Sequence, residues 1–152
     1  MAKKETTKEK AFGEFKSAEE LNQCAAGLKA EGDTESLKAL AEENGIDPDM
    51  VVMYLEGELP ELCDDMTAAI GRLNIELAEI SGREKQLAET VVKPFLDSLV
   101  TDPEICRAIM DGHTIKEISE KIWKEAEKRK QGSGAYIPDE EIRDMTEEYY
   151  RK

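Results

Sequence analysis

The residues with the clearest chemical potential are two groups of carboxylates, Asp47 with Asp49 and Glu61 with Asp64 and Asp65. Carboxylate oxygens at such spacing could bind a hard cation such as Ca²⁺. Neither group follows the loop pattern of an EF-hand, and an aspartate just before a helix commonly caps that helix. We therefore expect these residues to cap helices, and we expect neither a bound metal nor a cofactor.

Few other side chains are arranged for catalysis. His113 is the only histidine, and a single histidine between a glycine and a helix start is more often a surface or capping residue than a general base. The three cysteines, Cys24, Cys63 and Cys106, are too far apart for a zinc knuckle or a redox pair. No nucleophile elbow, phosphate-binding glycine loop or paired-histidine motif is present. The sequence therefore favours a protein that is not an enzyme.

The charge of the chain is concentrated in one stretch. Residues 14–65 carry fifteen acidic and three basic residues, which places −12 of the total charge of −14 there. A dense acidic surface repels nucleic acid and is attracted to the basic protein channels that hold it, although a solubilising surface is the common alternative. Within this stretch, the candidate partner-binding residues are Glu42, Glu43, Asp47, Asp49, Glu56, Glu58, Glu61, Asp64 and Asp65. We expect them to meet a protein and not to bind nucleic acid directly.

Cysteine usage and hydropathy indicate where the protein works. An odd number of cysteines without a signal peptide is typical of the reducing cytoplasm. No apolar run approaches the roughly 20 residues that a membrane span requires. We therefore expect a soluble cytoplasmic protein without a membrane segment.

The elements that position these residues are helices. Apolar residues recur at helical spacing, glycine and proline fall between the periodic segments, and no hairpin signal is present. The sequence predicts an all-α bundle of about seven or eight helices. We divide it into a disordered basic tail, an acidic three-helix unit resembling a helix-turn-helix, and a second helical domain, over residues 1–13, 14–59 and 60–152.

Local signals set the helix boundaries. Ser17, Asp33 and Asp47 are predicted N-caps, and Gly32 and Gly45 are predicted helix ends. A long amphipathic segment covers residues 62–80, and a helix over residues 83–100 is expected to bend at its internal proline. Residues 131–134 predict a flexible break and residues 135–137 a short extended piece.

The three-helix unit has the helix and turn spacing of a helix-turn-helix, but it lacks the side chains with which such a motif binds DNA. In DNA-binding helix-turn-helix proteins, basic or amide side chains of the second helix contact the bases. Here residues 47–58 contain four acids and no base, so this helix would be repelled by phosphate. A plain three-helix bundle is an equally good interpretation of the pattern, and either one would present its surface to protein.

Basic residues gather near the C-terminal end of the chain, at Lys116, Lys121, Lys124, Lys128, Arg129 and Lys130. Several of them lie four residues from a glutamate, which is the spacing of ion pairs along a helix. A solvated helix face is the simpler interpretation. A DNA-binding regulator that uses this helix is the weaker one.

Short motifs in the last third of the chain carry a family resemblance. They are a helix beginning Asp102-Pro-Glu-Ile, a helix beginning Thr114-Ile-Lys-Glu, and a closing Ile137-Pro-Asp-Glu-Glu-Ile followed by Glu147-Glu-Tyr-Tyr. Residues 95–152 thereby resemble the PcfK-like proteins of conjugative elements, a group that includes anti-CRISPR proteins that inhibit Cas9. Residues 15–80 look like proteins encoded on mobile elements of gut Firmicutes. The resemblance implies a Cas9 inhibitor, although the long acidic N-terminal half departs from the PcfK-like pattern.

Charge and resemblance together give a leading hypothesis and an alternative. The first is an anti-CRISPR protein that binds Cas9 or its guide-RNA complex and mimics DNA with its acidic face, because Cas9 holds its heteroduplex in a positively charged channel. The alternative is an accessory or regulatory protein of a mobile element, which binds a protein partner through apolar contacts such as Met50, Met53 and Tyr54. The Met/Val face of residues 47–56 also allows a homodimer.

Overall fold

The computed structural model describes residue 12 and residues 15–129 and 137–152. Over these residues the chain is all-α, as predicted, and contains eight helices and no strand. The predicted basic tail, apart from residue 12, lies outside the described residues, as do the predicted flexible break and most of the predicted extended piece. The helices are α1 (Ala18–Glu31), α2 (Thr34–Glu43), α3 (Pro48–Leu55), α4 (Asp65–Glu79), α5 (84–99), α6 (Pro103–Met110), α7 (Ile115–Lys128) and α8 (Asp139–Tyr150).

Polar caps start most of these helices where the sequence predicted them. The hydroxyl of Ser17 accepts a hydrogen bond from the N–H of Glu20, and the carboxylates of Asp33 and Asp47 cap α2 and α3 in the same way. Gly32 ends α1 with φ of 72°, in the left-handed region that glycine adopts without strain. These confirmed caps explain why the first three helices begin, and why α1 ends, at the expected residues.

The long segment after Pro60 is shorter as a helix than its periodicity predicted. Leu62 is buried, but it lies in the loop before α4, because Asp64 caps the helix by accepting a hydrogen bond of 2.7 Å from the N–H of Thr67. An apolar residue in a packed loop contributes to the same core as a helical one. The hydrophobic pattern therefore extended the helix too far in the N-terminal direction.

Helix α5 continues through its proline with the help of a wider turn. It consists of Glu84–Leu87, a π-helical turn over Ala88–Val92 and Lys93–Leu99. The N–H of Lys93 donates to the carbonyl of Ala88, five residues earlier, so the hydrogen-bond ladder changes its spacing just before Pro94. Such a bulge suits a residue that has no N–H to donate.

The interior consists of two apolar clusters that meet at α4. Ala68 and the loop residues Leu62 and Cys63 pack with α1–α3, whereas Ala69 and Leu73 pack with α5–α8. The change from one cluster to the other thus falls within a single helix. The division into units 14–59 and 60–152 stays a prediction, because α4 belongs to both clusters.

A polar contact and a close backbone approach join α4 to the N-terminal unit and to α6. Arg72 of α4 is buried, and its guanidinium donates to the carbonyl of Phe15 at 2.6 Å and to that of Met110 at 3.4 Å. Gly71 of the same helix lies directly against Gly45 in the turn between α2 and α3. Helix α4 therefore fixes the position of the acidic three-helix unit on the rest of the bundle.

Candidate functional site

The nine predicted partner-binding residues surround the two connections between α2, α3 and α4. Eight of them are exposed, and they lie at the end of α2, around α3, in the loop 56–64 and at the start of α4. Glu43 is the exception, since it is half-buried and accepts a hydrogen bond of 3.3 Å from the N–H of Phe12. The fold therefore gathers these carboxylates on neighbouring surfaces of the N-terminal unit, with Glu43 partly engaged in the structure itself.

Two of the nine also cap helices, as the sequence predicted. The carboxylate of Asp47 accepts from the N–H of Asp49 at 2.8 Å, and Asp64 accepts from Thr67. Hydrogen bonds from the side chain and the backbone of Thr67 lower the pKa of Asp64 below its usual value, which keeps the carboxylate charged. Among the residues that the structure describes, no group of three or more His, Cys, Asp or Glu side chains is placed to hold a metal ion.

The acidic unit, together with the loop and helix start that follow it up to residue 65, differs from the rest of the chain in how few ion pairs its acids form. Between residues 83 and 151, nine ion pairs join described side chains, including those of Arg129 and Arg151 with glutamates of α7 and α8. Between residues 15 and 65 the one ion pair of two described residues is Lys38 with Glu35, at 3.7 Å. Most acids of this unit therefore have no internal counter-charge within the described chain.

The few bases of the acidic unit do little to neutralise it. The ammonium of Lys29 donates to the backbone carbonyl of Tyr54 at 2.9 Å and lies 4.4 Å from the centre of the Tyr54 ring. Lys38 is engaged with Glu35, which leaves Lys16 as the remaining base of residues 14–65. Eight of the nine candidate residues, all except Glu43, form no ion pair with any other described residue.

Carboxylates around the loop that leads into α4 create a local negative field. Burial and, after it, the charges of Asp64, Glu61 and Asp65 together raise the pKa of the Cys63 thiol to about 12. Burial and the charge of Glu61 also raise the pKa of the Tyr54 hydroxyl. Because a charge shifts a neighbour's pKa only at short range, these three carboxylates form one local cluster.

The first groove in this region lies between α2 and α3. It has a volume of about 440 Å³ and is mostly apolar, with Glu42 and Lys38 as its charged residues. Val52 lies on its edge with 49% of its surface exposed. The lining residues are Lys38, Ala41, Glu42, Ile46, Pro48, Val51, Val52 and Leu55.

The second groove lies between α1 and the loop 56–64, has a volume of about 490 Å³ and is more polar. Glu61 and Asp65 line it together with Glu19 of α1. The carboxamide of Asn22 holds the groove together, since it donates to the carbonyl of Cys63 at 2.7 Å and accepts from its N–H at 3.1 Å.

The structure adds two residues that sequence reasoning did not select and changes the role of one that it did. Glu19 joins the acidic cluster only because Asn22 brings α1 against the loop, a contact between residues 41 positions apart. Val52 is exposed, whereas Tyr54, which we expected to contact a partner, is buried in the N-terminal core. A helical projection of α3 was the sequence signal that could have distinguished the exposed Val52 from the buried Tyr54.

His113 is half-buried and packs against two tyrosines of the apolar cluster that α4 forms with α5–α8. Its ring lies 5.0 Å from that of Tyr149 and 5.8 Å from that of Tyr150, and its Nδ1 has no hydrogen-bond partner among the described residues. The hydroxyl of Tyr149 donates to Glu117 at 2.5 Å and accepts from the N–H of Thr114 at 3.0 Å. The two tyrosines thus belong to the apolar cluster that α4 forms with α5–α8.

The basic residues of α7 do not form a continuous cationic surface. Arg129 is engaged by Glu125 and Glu141, and the ammonium of Lys121 lies 5.4 Å from the ring centre of Tyr149. Four lysines and four glutamates balance within Ile115–Lys128. The predicted solvated helix face agrees with this arrangement, while Lys130 lies outside the described residues.

Comparisons with known proteins supply no relative. No family model matches the chain, and neither a curated protein nor a solved structure shows significant similarity to it. In the part of the chain that is described, no helix has the length and the apolar character that crossing a membrane would require.

Proposed function

We propose that this protein is a non-enzymatic inhibitor that occupies a basic, nucleic-acid-binding surface of an effector protein with its acidic N-terminal unit. The observation that supports the proposal is the difference in charge use along the chain. Nine of the eighteen acids in residues 66–152 form ion pairs with bases of the described chain, whereas between residues 15 and 65 Glu35 is the one acid in an ion pair of two described residues. Unmatched like charges repel one another and destabilise a compact unit, and a basic partner would remove that cost.

The resemblance of residues 95–152 to PcfK-like proteins makes guide-loaded Cas9 the first effector to test. Cas9 holds nucleic acid in a positively charged channel and reads its PAM with arginines. Carboxylates on neighbouring helix ends and loops would compete with phosphates for those cations. In this proposal the paired C-terminal bundle serves as the support on which the acidic unit is mounted.

The experiment is co-elution with guide-loaded Cas9 across a salt series, with and without target DNA. Binding that weakens as salt rises and that competes with target DNA supports phosphate mimicry. Salt-resistant binding that coexists with target DNA points to an inhibitor of a later conformational step. Absence of binding to several orthologues favours the accessory-protein alternative.

A charge-reversal variant tests the assignment of the surface. The exposed residues Asp49, Glu56, Glu58 and Glu61, which cap no helix through their side chains, are changed together to lysine. Loss of four pairs and their replacement by repulsion should weaken binding by about 100-fold or more, at about 0.5–1 kcal/mol for each lost pair before repulsion is counted.

The matched control reverses four exposed acids of the C-terminal half. Glu120, Glu140, Asp144 and Glu148 form no ion pair with described residues, and Glu140, like Asp49, lies in the first turn of its helix. Both variants change the net charge by the same amount. If the control variant loses as much affinity as the first, net charge and not the N-terminal surface controls binding, and the proposed site is wrong.

A further inference from the structure

We infer that the groove between α2 and α3 is a docking site for an amphipathic, basic helix of the protein partner, with aliphatic anchor side chains and flanking lysines or arginines. The inference rests on the proposed function and specifies the chemistry of the partner. It concerns a groove where the acidic unit offers mostly apolar contact with charged residues beside it.

The floor of the groove is apolar and of suitable size. Ala41, Ile46, Val51 and Leu55 form it, and Val52 extends it onto the outer surface of α3. A volume of about 440 Å³ is close to three times the roughly 150 Å³ that holds one benzene-sized group in a protein interior. Two or three apolar side chains on one face of a helix would fill it, as in other complexes where a helix binds in a groove.

The rim of the groove selects a basic partner. Asp49, Val52 and Glu56 are spaced by three and four residues on α3, so two exposed carboxylates flank the exposed valine along one face of the helix. Glu42 lines the opposite side, and the charge of Lys38 is offset by Glu35. Exposed carboxylates without counter-charges in the described chain, Glu42 and Asp49, thus lie on both helices that border the apolar floor.

The same rim disfavours a second copy of this chain. Two identical units meeting at this groove would bring Asp49, Glu56 and Glu42 of one copy against those of the other. Like charges held together cost free energy, and residues 14–65 already carry a net −12. A basic amphipathic helix satisfies both the floor and the rim, whereas a homodimer satisfies only the floor.

The test uses Val52→Glu, which removes the apolar edge and adds one negative charge. If binding to a basic partner were electrostatic alone, this variant would bind as well as the parent or better. With an apolar anchor in the groove, it should bind about 10-fold more weakly or worse, because a carboxylate would then be buried against the partner's apolar side chains. The control is Met66→Glu, because Met66 is the other exposed large apolar residue among those described, at 39%, and does not line the groove.

The probes are two synthetic helical peptides of equal positive charge, one with leucines at positions i, i+3 and i+7 and one with serines there. Fluorescence anisotropy with the full-length chain should show about 10-fold tighter binding of the leucine peptide, with amide chemical shifts changing at Ala41, Ile46 and Val51. Equal affinity of the two peptides, no binding of either, or an unchanged affinity of the Val52→Glu variant would overturn the inference.

Two further readouts separate this inference from the proposed function. If the groove is not used but the proposed function is right, Val52→Glu binds guide-loaded Cas9 normally while the fourfold charge reversal does not. Light scattering that finds a dimer of the parent chain and a monomer of Val52→Glu would assign the groove to self-association and refute the basic-helix partner.

Discussion

Replacing Gly71 by alanine should destabilise this protein, although the same change stabilises most helices. Gly71 lies inside α4, where its backbone meets the turn between α2 and α3. A Cβ at this position would overlap the carbonyl oxygen of Asn44 and lie 3.0 Å from that of Gly45. Both neighbours are backbone atoms, so no side-chain rotation can relieve the overlap, and α4 must move away from the turn.

The size of the effect follows from two opposing terms. Overpacking of a well-packed contact costs about 1–3 kcal/mol, and a clash with backbone belongs at or above the upper end of that range. Alanine gains about 1 kcal/mol over glycine as a helix former. We expect a net loss of about 2 kcal/mol in the free energy of unfolding, which lowers Tm by about 4–8 °C in a chain of this length.

Thermal and urea unfolding followed by circular dichroism would measure this change, with Gly27→Ala as the matched control. Gly27 lies within α1, and a Cβ there would have no neighbour within 4 Å, so the helix-propensity term should act alone and raise stability by about 0.5–1 kcal/mol. The two substitutions should therefore have opposite signs. If Gly71→Ala is as stable as Gly27→Ala, the close packing of α4 against the turn is wrong.

Two further changes test the caps and the link between the clusters. Asp64→Ala should lose about 1 kcal/mol near neutral pH, whereas Asp64→Asn keeps a capping oxygen and should lose less. Because the folded-state pKa of Asp64 is lowered, its charge-dependent stabilisation is present above about pH 4 and disappears as pH falls through the folded pKa. The stability of Asp64→Asn should therefore fall less steeply with acid than that of the parent protein. Identical acid unfolding curves would contradict this role of the Asp64 charge. Arg72→Met should lose about 1–3 kcal/mol in urea unfolding, because two buried carbonyls lose their donor, and an equally stable variant would show that apolar packing replaces the link.

Much of the fold could be predicted because its signals are local. Ser17, Asp33 and Asp47 cap the first three helices by hydrogen bonds that span two or three residues. The helical spacing of apolar residues predicted the all-α class, because an amphipathic helix buries one face. Such interactions are contained within a few residues of one another, so the order of residues is enough to reveal them.

The features that the sequence did not reveal depend on packing between distant segments. Leu62 fits a helical pattern but is buried from a loop, and Tyr54, a partner contact in the accessory-protein alternative, packs in the N-terminal core beneath Lys29. His113 contacts two aromatic rings that lie 36 and 37 positions later in the chain. No local periodicity contains this information, because each contact requires elements that meet only in the folded chain.

The acidic character of residues 14–65 is a property of composition, and the amino-acid sequence alone determined it, together with the all-α class and the helix caps. Only the tertiary structure decided which carboxylates become neighbours. It places Glu19 beside Glu61 and Asp65 through Asn22, exposes Val52 at an apolar groove, and leaves most acids of this unit without internal bases. The physical reason is that the net charge of a chain is the same in any conformation. Ion pairing and groove formation depend instead on distances between side chains. Those distances arise when α1 packs against the loop that follows α3 and when α4 packs against the turn between α2 and α3.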